Sequence, residues 1–185
     1  MSTSLLPFRA GIIASMKTEN STSKKKTVVI VSGGFDPLHI GHVRLFEAAK
    51  KLGDELVVVL NNDVWLSEKK GTPFMPEKER KEIIEALRCV DRVVVTKHKL
   101  DDPDHVTHYA RWRGICGAMR EIKPNIFAQG GDRNEKDASD TDSSAYYERV
   151  LCEEMGCEMI FNVGHGGKVQ SSSWLTDKVA RAAKR

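Results

Sequence analysis

The chain has 185 residues, 40% hydrophobic and 30% charged, with a formal net charge of +3. That length suits one domain with a sizeable core and is short for two, and the balance is that of a globular protein. The mild charge admits anionic ligands but gives no basic stripe for nucleic acid, and no apolar run has the length of a membrane span.

Met1 to Lys26 is rich in Ser, Thr and Lys and shows no sustained period. It reads as a disordered tail ahead of a domain over 27–185. Its first acid is Glu19, a faint likeness to an organellar targeting segment. Lys24-Lys25-Lys26 reads as a solvated flank.

Thr27 to Ser32 is a short β-branched run, predicted as a buried strand that ends at Gly33-Gly34. From Gly41 to Leu52, apolar residues recur at helical spacing, and Gly53-Asp54 stops them. Glu55 to Leu60 predicts a second strand, Glu77 to Arg88 a helix and Arg92 to Thr96 a third strand. A helix falls somewhere between Asp104 and Ile122. Ile126 to Gln129 is a fourth strand, Ser144 to Met155 a helix, Glu158 to Val163 a fifth strand and Ser172 to Ala183 a last helix. Asn134 to Ser144 reads as a polar loop. Alternating strands and helices predict an α/β domain: Rossmann-like, with a mainly parallel sheet of about five strands and helices on both faces. Ligands in such sheets sit beyond the carboxyl ends of the strands.

Four cysteines, Cys89, Cys116, Cys152 and Cys157, show no C-x-x-C spacing. They offer no zinc ribbon and read as reduced thiols in a cytoplasmic setting.

The segment Gly33-Gly34-Phe35-Asp36-Pro37-Leu38-His39-Ile40-Gly41-His42 lies between a predicted buried strand and an amphipathic helix. Glycines there let backbone amides approach phosphate oxygens, and the new helix presents unpaired N–H groups to an anion. His39 and His42 are three residues apart, so at a helix start they face the same way. Two imidazoles so placed can donate to oxygens whose charge grows in a transition state. Asp36 either orients a ligand or metal or makes a turn with Pro37.

This segment resembles the HxGH signature of the nucleotidyltransferase superfamily. The resemblance runs over nearly the whole chain from Thr27. It is strongest to glycerol-3-phosphate cytidylyltransferases and to the nucleotidyltransferase domain of bifunctional heptose-phosphate enzymes. Lys51-Leu52-Gly53-Asp54, Asn61-Asn62-Asp63, Glu79-Arg80-Lys81, Val90-Asp91, Ala128-Gln129-Gly130-Gly131-Asp132 and Ser171-Ser172-Ser173 also carry it. The resemblance implies transfer of a nucleotidyl group from CTP or ATP to a small phosphorylated acceptor, with Mg²⁺ accompanying the triphosphate and no further metal site assigned. The leading acceptors are glycerol 3-phosphate with CTP or heptose 1-phosphate with ATP.

By the same resemblance, His39, His42, Lys69 and Lys70 are catalytic, the lysines on a mobile loop with Gly71 and Pro73. Gly33, Gly34, Phe35, Asp36, Gly41, Arg88, Gly130, Asp132, Ser171, Ser172 and Ser173 contact the nucleotide. Asp63 and Arg80 contact the acceptor. The chain departs from the pattern at Gly166-Gly167-Lys168-Val169-Gln170, where a cytidylyltransferase has an arginine for the triphosphate, and at Gln129, where the heptose-phosphate branch often has lysine.

His105 and His108, near Asp101, Asp102 and Asp104, read as polar surface, and Trp112 and Trp174 as core or rim. His165 sits in a loop expected on the ligand edge. Two other classes stay open: a non-catalytic nucleotide-binding regulatory protein on the same scaffold, and RNA binding through the basic tail. A homodimer is also open.

Overall fold

The computed structural model describes residues 25–99, 113–131, 133–164 and 170–182. Residues 1–24, the acidic segment with His105 and His108, Trp112, Asp132, His165 and Lys168 lie outside them, and with them the expectations placed on those positions.

Five strands form one parallel sheet: β1 (Val28–Gly33), β2 (Glu55–Leu60), β3 (Arg92–Val95), β4 (Ile126–Ala128) and β5 (Glu158–Ile160). Their spatial order is β3-β2-β1-β4-β5. The chain leaves β1 for β2 on one side and returns to β4 on the other, so the strand order reverses at β1/β4. A crevice opens at such a point beyond the carboxyl ends. The described helices are α1 (Ile40–Lys50), α2 (Asp63–Lys70), α3 (Glu77–Glu85), α4 (Arg113–Ile122), α5 (Glu135–Ser139), α6 (Ser144–Met155) and α7 (Ser172–Ala182). None is long and apolar enough to cross a membrane.

Side chains of a strand alternate between its two faces, and both faces of this sheet are covered. Val29, Val31, Leu56, Val58 and Leu60 pack under Phe46 and Ala49 of α1 and Ile84 of α3. Ile30, Val57, Val59 and Phe127 pack under Ile115 and Met119 of α4 and Leu151 and Cys152 of α6. The unbroken apolar run of β2 follows from this double burial. Gly53 closes the α1–β2 turn because a Cβ there would stand 2.7 Å from the Thr27 carbonyl oxygen.

Three helices depart from the sequence expectation. Lys69 and Lys70 end α2 rather than sitting on a free loop. Asn62 caps that helix by accepting from Trp65 N, and Gly71, at φ 87°, ends it. The polar stretch after β4 contains α5, whose start is a reciprocal box. Asn134 accepts from Asp137 N, and Asp137 accepts from Asn134 N. Helix α3 ends at Glu85, before Arg88. Trp174 of α7 is 54% exposed, not core.

Candidate active site

The crevice at the strand reversal is a cavity of about 330 Å³. It is walled by the β1–α1 loop, the carboxyl ends of β2 and β4, the last turn of α2, the start of α7 and parts of α4 and α6. Gly33, Gly34, Phe35, His39, Gly41, His42, Lys69, Lys70, Gly130, Ser171, Ser172 and Ser173 all line it. Twelve of the expected positions, drawn from four separate stretches of sequence, are thus brought together.

The two histidines open α1. His39 is its N-cap, with Nδ1 accepting from Gly41 N at 3.2 Å. His42 returns the contact, its Nδ1 accepting from His39 N at 3.3 Å. A ring nitrogen that accepts from a backbone N–H carries a lone pair, so each neutral ring holds its proton on Nε2. The rings stack at 3.7 Å between centroids, and His42 meets the edge of Phe35 at 5.0 Å. Burial, then the neighbouring His39, then Lys70 push His42 down to about 3. Burial foremost, with Lys70 adding, also lowers His39. Two uncharged Nε2–H donors therefore stand at a helix N-terminus, over glycines. Gly34 could not carry a side chain, since a Cβ would meet Leu66 Cδ2 at 2.7 Å.

A triphosphate brought to this pair would stabilise its protonated form and raise both pKa values. Nucleotide binding at pH 6 is thus expected to take up protons, and affinity to fall as pH rises through the raised pKa. Calorimetry in buffers of different ionisation enthalpy would measure the uptake, and His42→Gln should reduce it. Identical heats in all buffers for the unaltered protein would mean that the rings stay neutral in the complex.

At the other end of the loop, Ser172 Oγ donates to the Pro37 carbonyl at 3.0 Å, tying the start of α7 to the start of α1. Two helix N-termini thus meet across one cavity, a doubled anion-binding arrangement. Lys70 Nζ donates to the Asp36 carbonyl at 3.1 Å.

Four of the expected positions do not line the cavity. The Asp36 carboxylate is buried and spent on backbone, accepting from Phe74 N at 2.7 Å and Met75 N at 2.8 Å. Arg80, only 1% exposed, donates to the carbonyls of Met75, Gly34 and Asn61 and to Asp63 Oδ1 at 2.6 Å. Asp63 also accepts from Glu77 N. These three residues fasten the β1–α1 loop to the segment before α3; neither Asp63 nor Arg80 lines the cavity. Arg88 is exposed and also outside it. Asp91, three residues on, accepts from Leu56 N near the amino end of β2, so the Arg88 segment belongs to the wrong edge of the sheet.

The sequence reading missed Arg44, Gln129, Arg133 and Glu148, which also line the cavity. Glu148 sits in the buried stripe of α6 with Ala145, Leu151 and Cys152. An acid inside an apolar stripe was the signal available for it. Burial pushes Glu148 up to about 7, opposed in part by Arg133, the Gln129 hydrogen bond and Lys69. Lys69 is exposed along its length, yet desolvation at its ammonium, followed by Arg133 and Lys70, lowers its pKa.

A parallel doubly wound sheet, with two helix starts and a histidine pair over its switch point, defines a nucleotide-binding α/β domain. The family model for cytidylyltransferase-like proteins matches residues 30–154, and the chain belongs to that family, an enzyme family of nucleotidyltransferases. FAD synthase of Thermococcus sibiricus is 34% identical over 140 residues, covering 75% of this chain and 82% of that protein. The bifunctional protein HldE of Syntrophotalea carbinolica is 38% identical over 109 residues, 58% of this chain but 19% of that protein. Among solved structures, a lipopolysaccharide core biosynthesis protein from Thermoplasma volcanium superposes with a TM-score of 0.56 at 24% identity, covering 76% of this chain and 99% of that one. Pantoate-beta-alanine ligase from Francisella tularensis gives 0.55 at 16% identity, covering 85% and 67%. These two likenesses show the fold.

Proposed function

We propose that the chain transfers an adenylyl group from ATP to a sugar phosphate of the heptose 1-phosphate kind, releasing pyrophosphate. The observation that carries the transfer is the stacked pair His39–His42, two Nε2–H donors at a helix start facing a second helix start across one cavity. ATP is favoured over CTP by the relatives: FAD, the product in the name of one, contains an adenylyl group. The likeness to HldE agrees with the resemblance to heptose-phosphate enzymes and favours the sugar phosphate over glycerol 3-phosphate.

An oxygen of the acceptor phosphate attacks the α-phosphorus. The new Pα–O bond forms as the Pα–O bond to the β-phosphate breaks, and the electron pair leaves with pyrophosphate. The attacking oxygen is already ionised, so no general base is needed. His39 and His42 stabilise charge on the transferred and departing oxygens, while Lys70 and the N–H groups at Ser171 to Ser173 hold phosphates. Mg²⁺ is expected on the triphosphate oxygens. Such an ion travels with its nucleotide and needs few protein ligands. It would neutralise phosphate charge. Four free cysteines fit a cytoplasmic setting.

The test is pyrophosphate release from ATP, CTP, GTP and UTP, each paired with heptose 1-phosphate, glycerol 3-phosphate and FMN. ATP with heptose 1-phosphate should give the highest kcat/KM. A CTP–glycerol phosphate optimum would overturn the substrate assignment, and no release from any pair would favour a regulatory nucleotide binder.

A further inference from the structure

The cavity contains a second charged cluster that the chemistry above does not use. Lys69 and Lys70 are adjacent in sequence but serve different neighbourhoods. Lys70 lies in the field of the histidines. The Lys69 ammonium stands 4.6 Å from the centroid of the Trp65 ring, in the field of Arg133 and Glu148. Arg133 is half-buried and donates from Nη2 to Ser144 Oγ at 2.7 Å. Glu148 is 5% exposed, and its Oε2 accepts from Gln129 Nε2 at 2.7 Å. No other hydrogen bond to that carboxylate is found among the described residues, and it is the one carboxylate of theirs that lines the cavity.

A carboxylate removed from water is costly unless donors replace the water. One amide donor leaves most of its acceptor capacity unused. Packing does not require a charged group at this position of α6, whose neighbours Ala145, Leu151 and Cys152 are apolar or small. Glu148 thus keeps acceptor capacity for a donor that enters the cavity it lines.

Resting on the transfer reading above, we propose that Lys69, Arg133 and Glu148 form the acceptor subsite: the two cations hold the acceptor's phosphate, and Glu148 accepts a hydrogen bond from a hydroxyl on its carbon body. In-line displacement puts the acceptor phosphate opposite the departing pyrophosphate, so two anions need two cationic settings. His39, His42, Lys70 and the α7 start supply one, and Lys69 with Arg133 supply the other. Glu148 of the cluster also stands on α6, which packs with α4 on one face of the sheet. On the opposite face the cavity wall carries Leu45 and Val163, with Arg44 as its one charged group among the described residues, and offers a nucleoside an apolar surface. Finally, two cations and one carboxyl match a phosphate monoester, whereas above neutral pH, where Glu148 is ionised, a triphosphate there would meet its charge. The carboxylate thus sorts the two anionic substrates between the two ends.

The test measures ligand binding to the full chain by calorimetry, with Lys69→Ala, Arg133→Lys and Glu148→Gln. Arg133→Lys retains a donor for Ser144, and Glu148→Gln retains an acceptor for Gln129, so both should melt near the unaltered protein. The probes are α,β-methylene-ATP with Mg²⁺ and, at saturating levels of that complex, heptose 1-phosphate, FMN and inorganic phosphate. Lys69→Ala and Arg133→Lys should weaken heptose 1-phosphate about tenfold or more, the scale of a lost charged hydrogen bond. Nucleotide affinity should change less than about threefold. Measured at pH 8.5, where the carboxyl is ionised, Glu148→Gln should weaken heptose 1-phosphate yet tighten inorganic phosphate, because it removes a charged acceptor for a hydroxyl and a negative charge from the cluster. A purely structural role would move both probes in one direction and would overturn the assignment. Equal weakening of nucleotide and sugar phosphate would also overturn it, as would preference for FMN. Failure of the transfer reading itself is separate: it shows as no pyrophosphate release from the unaltered chain with any pair.

Discussion

Replacing either His39 or His42 with alanine should lower kcat by about a hundredfold or more while leaving nucleotide affinity within a few-fold. That is the usual scale for a lost donor that acts where charge develops. The split follows from the geometry. In the free protein each ring is neutral and keeps Nδ1 on backbone, so only Nε2–H is offered to a ligand. Ground-state phosphates have many other donors here: Lys70 and two helix starts. Losing one hydrogen bond matters most when the α-phosphoryl oxygens and the departing bridge gain charge. His42 also packs on Phe35. His42→Phe, which keeps a ring against Phe35 but offers no donor, therefore belongs beside His42→Ala to separate a packing loss from a lost donor. Both variants should retain native far-UV circular dichroism. Near-normal turnover in both would remove the pair from the mechanism. A rise in KM alone would make them uniform binders instead.

The strand–helix alternation and the histidine motif were legible in the sequence because each rests on local pattern. Apolar runs bounded by Gly33-Gly34 and Gly53 sit on a doubly covered sheet, and a three-residue histidine spacing survives any small shift in helix start. Helix α2 was missed because only Val64, Trp65 and Leu66 interrupt its polar residues, giving no sustained period. Its caps, Asn62 and Gly71, and the basic residues in its last turn were the better signal. Arg80 and Asp63 fall outside the cavity for a different reason. Their matching positions pointed to the right end of the sheet, but sequence does not show whether a charged side chain turns toward the ligand or toward the backbone that frames it. Arg133 and Glu148 lay at the opposite limit. Their partners, Ser144 and Gln129, are distant in sequence or unremarkable alone, and only the packing of α6 on the sheet brings them to the cavity.

Replacing Arg80 with methionine should destabilise the fold by about 3–5 kcal/mol, the cost of removing one member of a buried, hydrogen-bonded ion pair. For a chain of this size that is a fall in Tm of roughly 10 °C. The side chain of Arg80 is fully buried and its guanidinium makes four hydrogen bonds. Without it, the carbonyls of Gly34, Asn61 and Met75 lose a donor. Asp63 also loses its cation, although its side chain is 35% exposed and water offsets part of that loss. Asp63→Asn, which retains an acceptor for Arg80, should cost less than Arg80→Met. The double variant should cost less than the two single costs added together, since both report on one shared contact. Arg88→Ala, at an exposed position with no place in the cavity, should stay within about 0.5 kcal/mol. Turnover by folded Arg80→Met at low temperature should fall through kcat, because Gly34 belongs to the loop that carries the histidines. The acceptor KM should change little, because Arg80 does not line the cavity. An unchanged Tm with a tenfold higher acceptor KM would return Arg80 to the acceptor, and the latch between Asp36, Asp63 and Arg80 would lose its role in holding the β1–α1 loop.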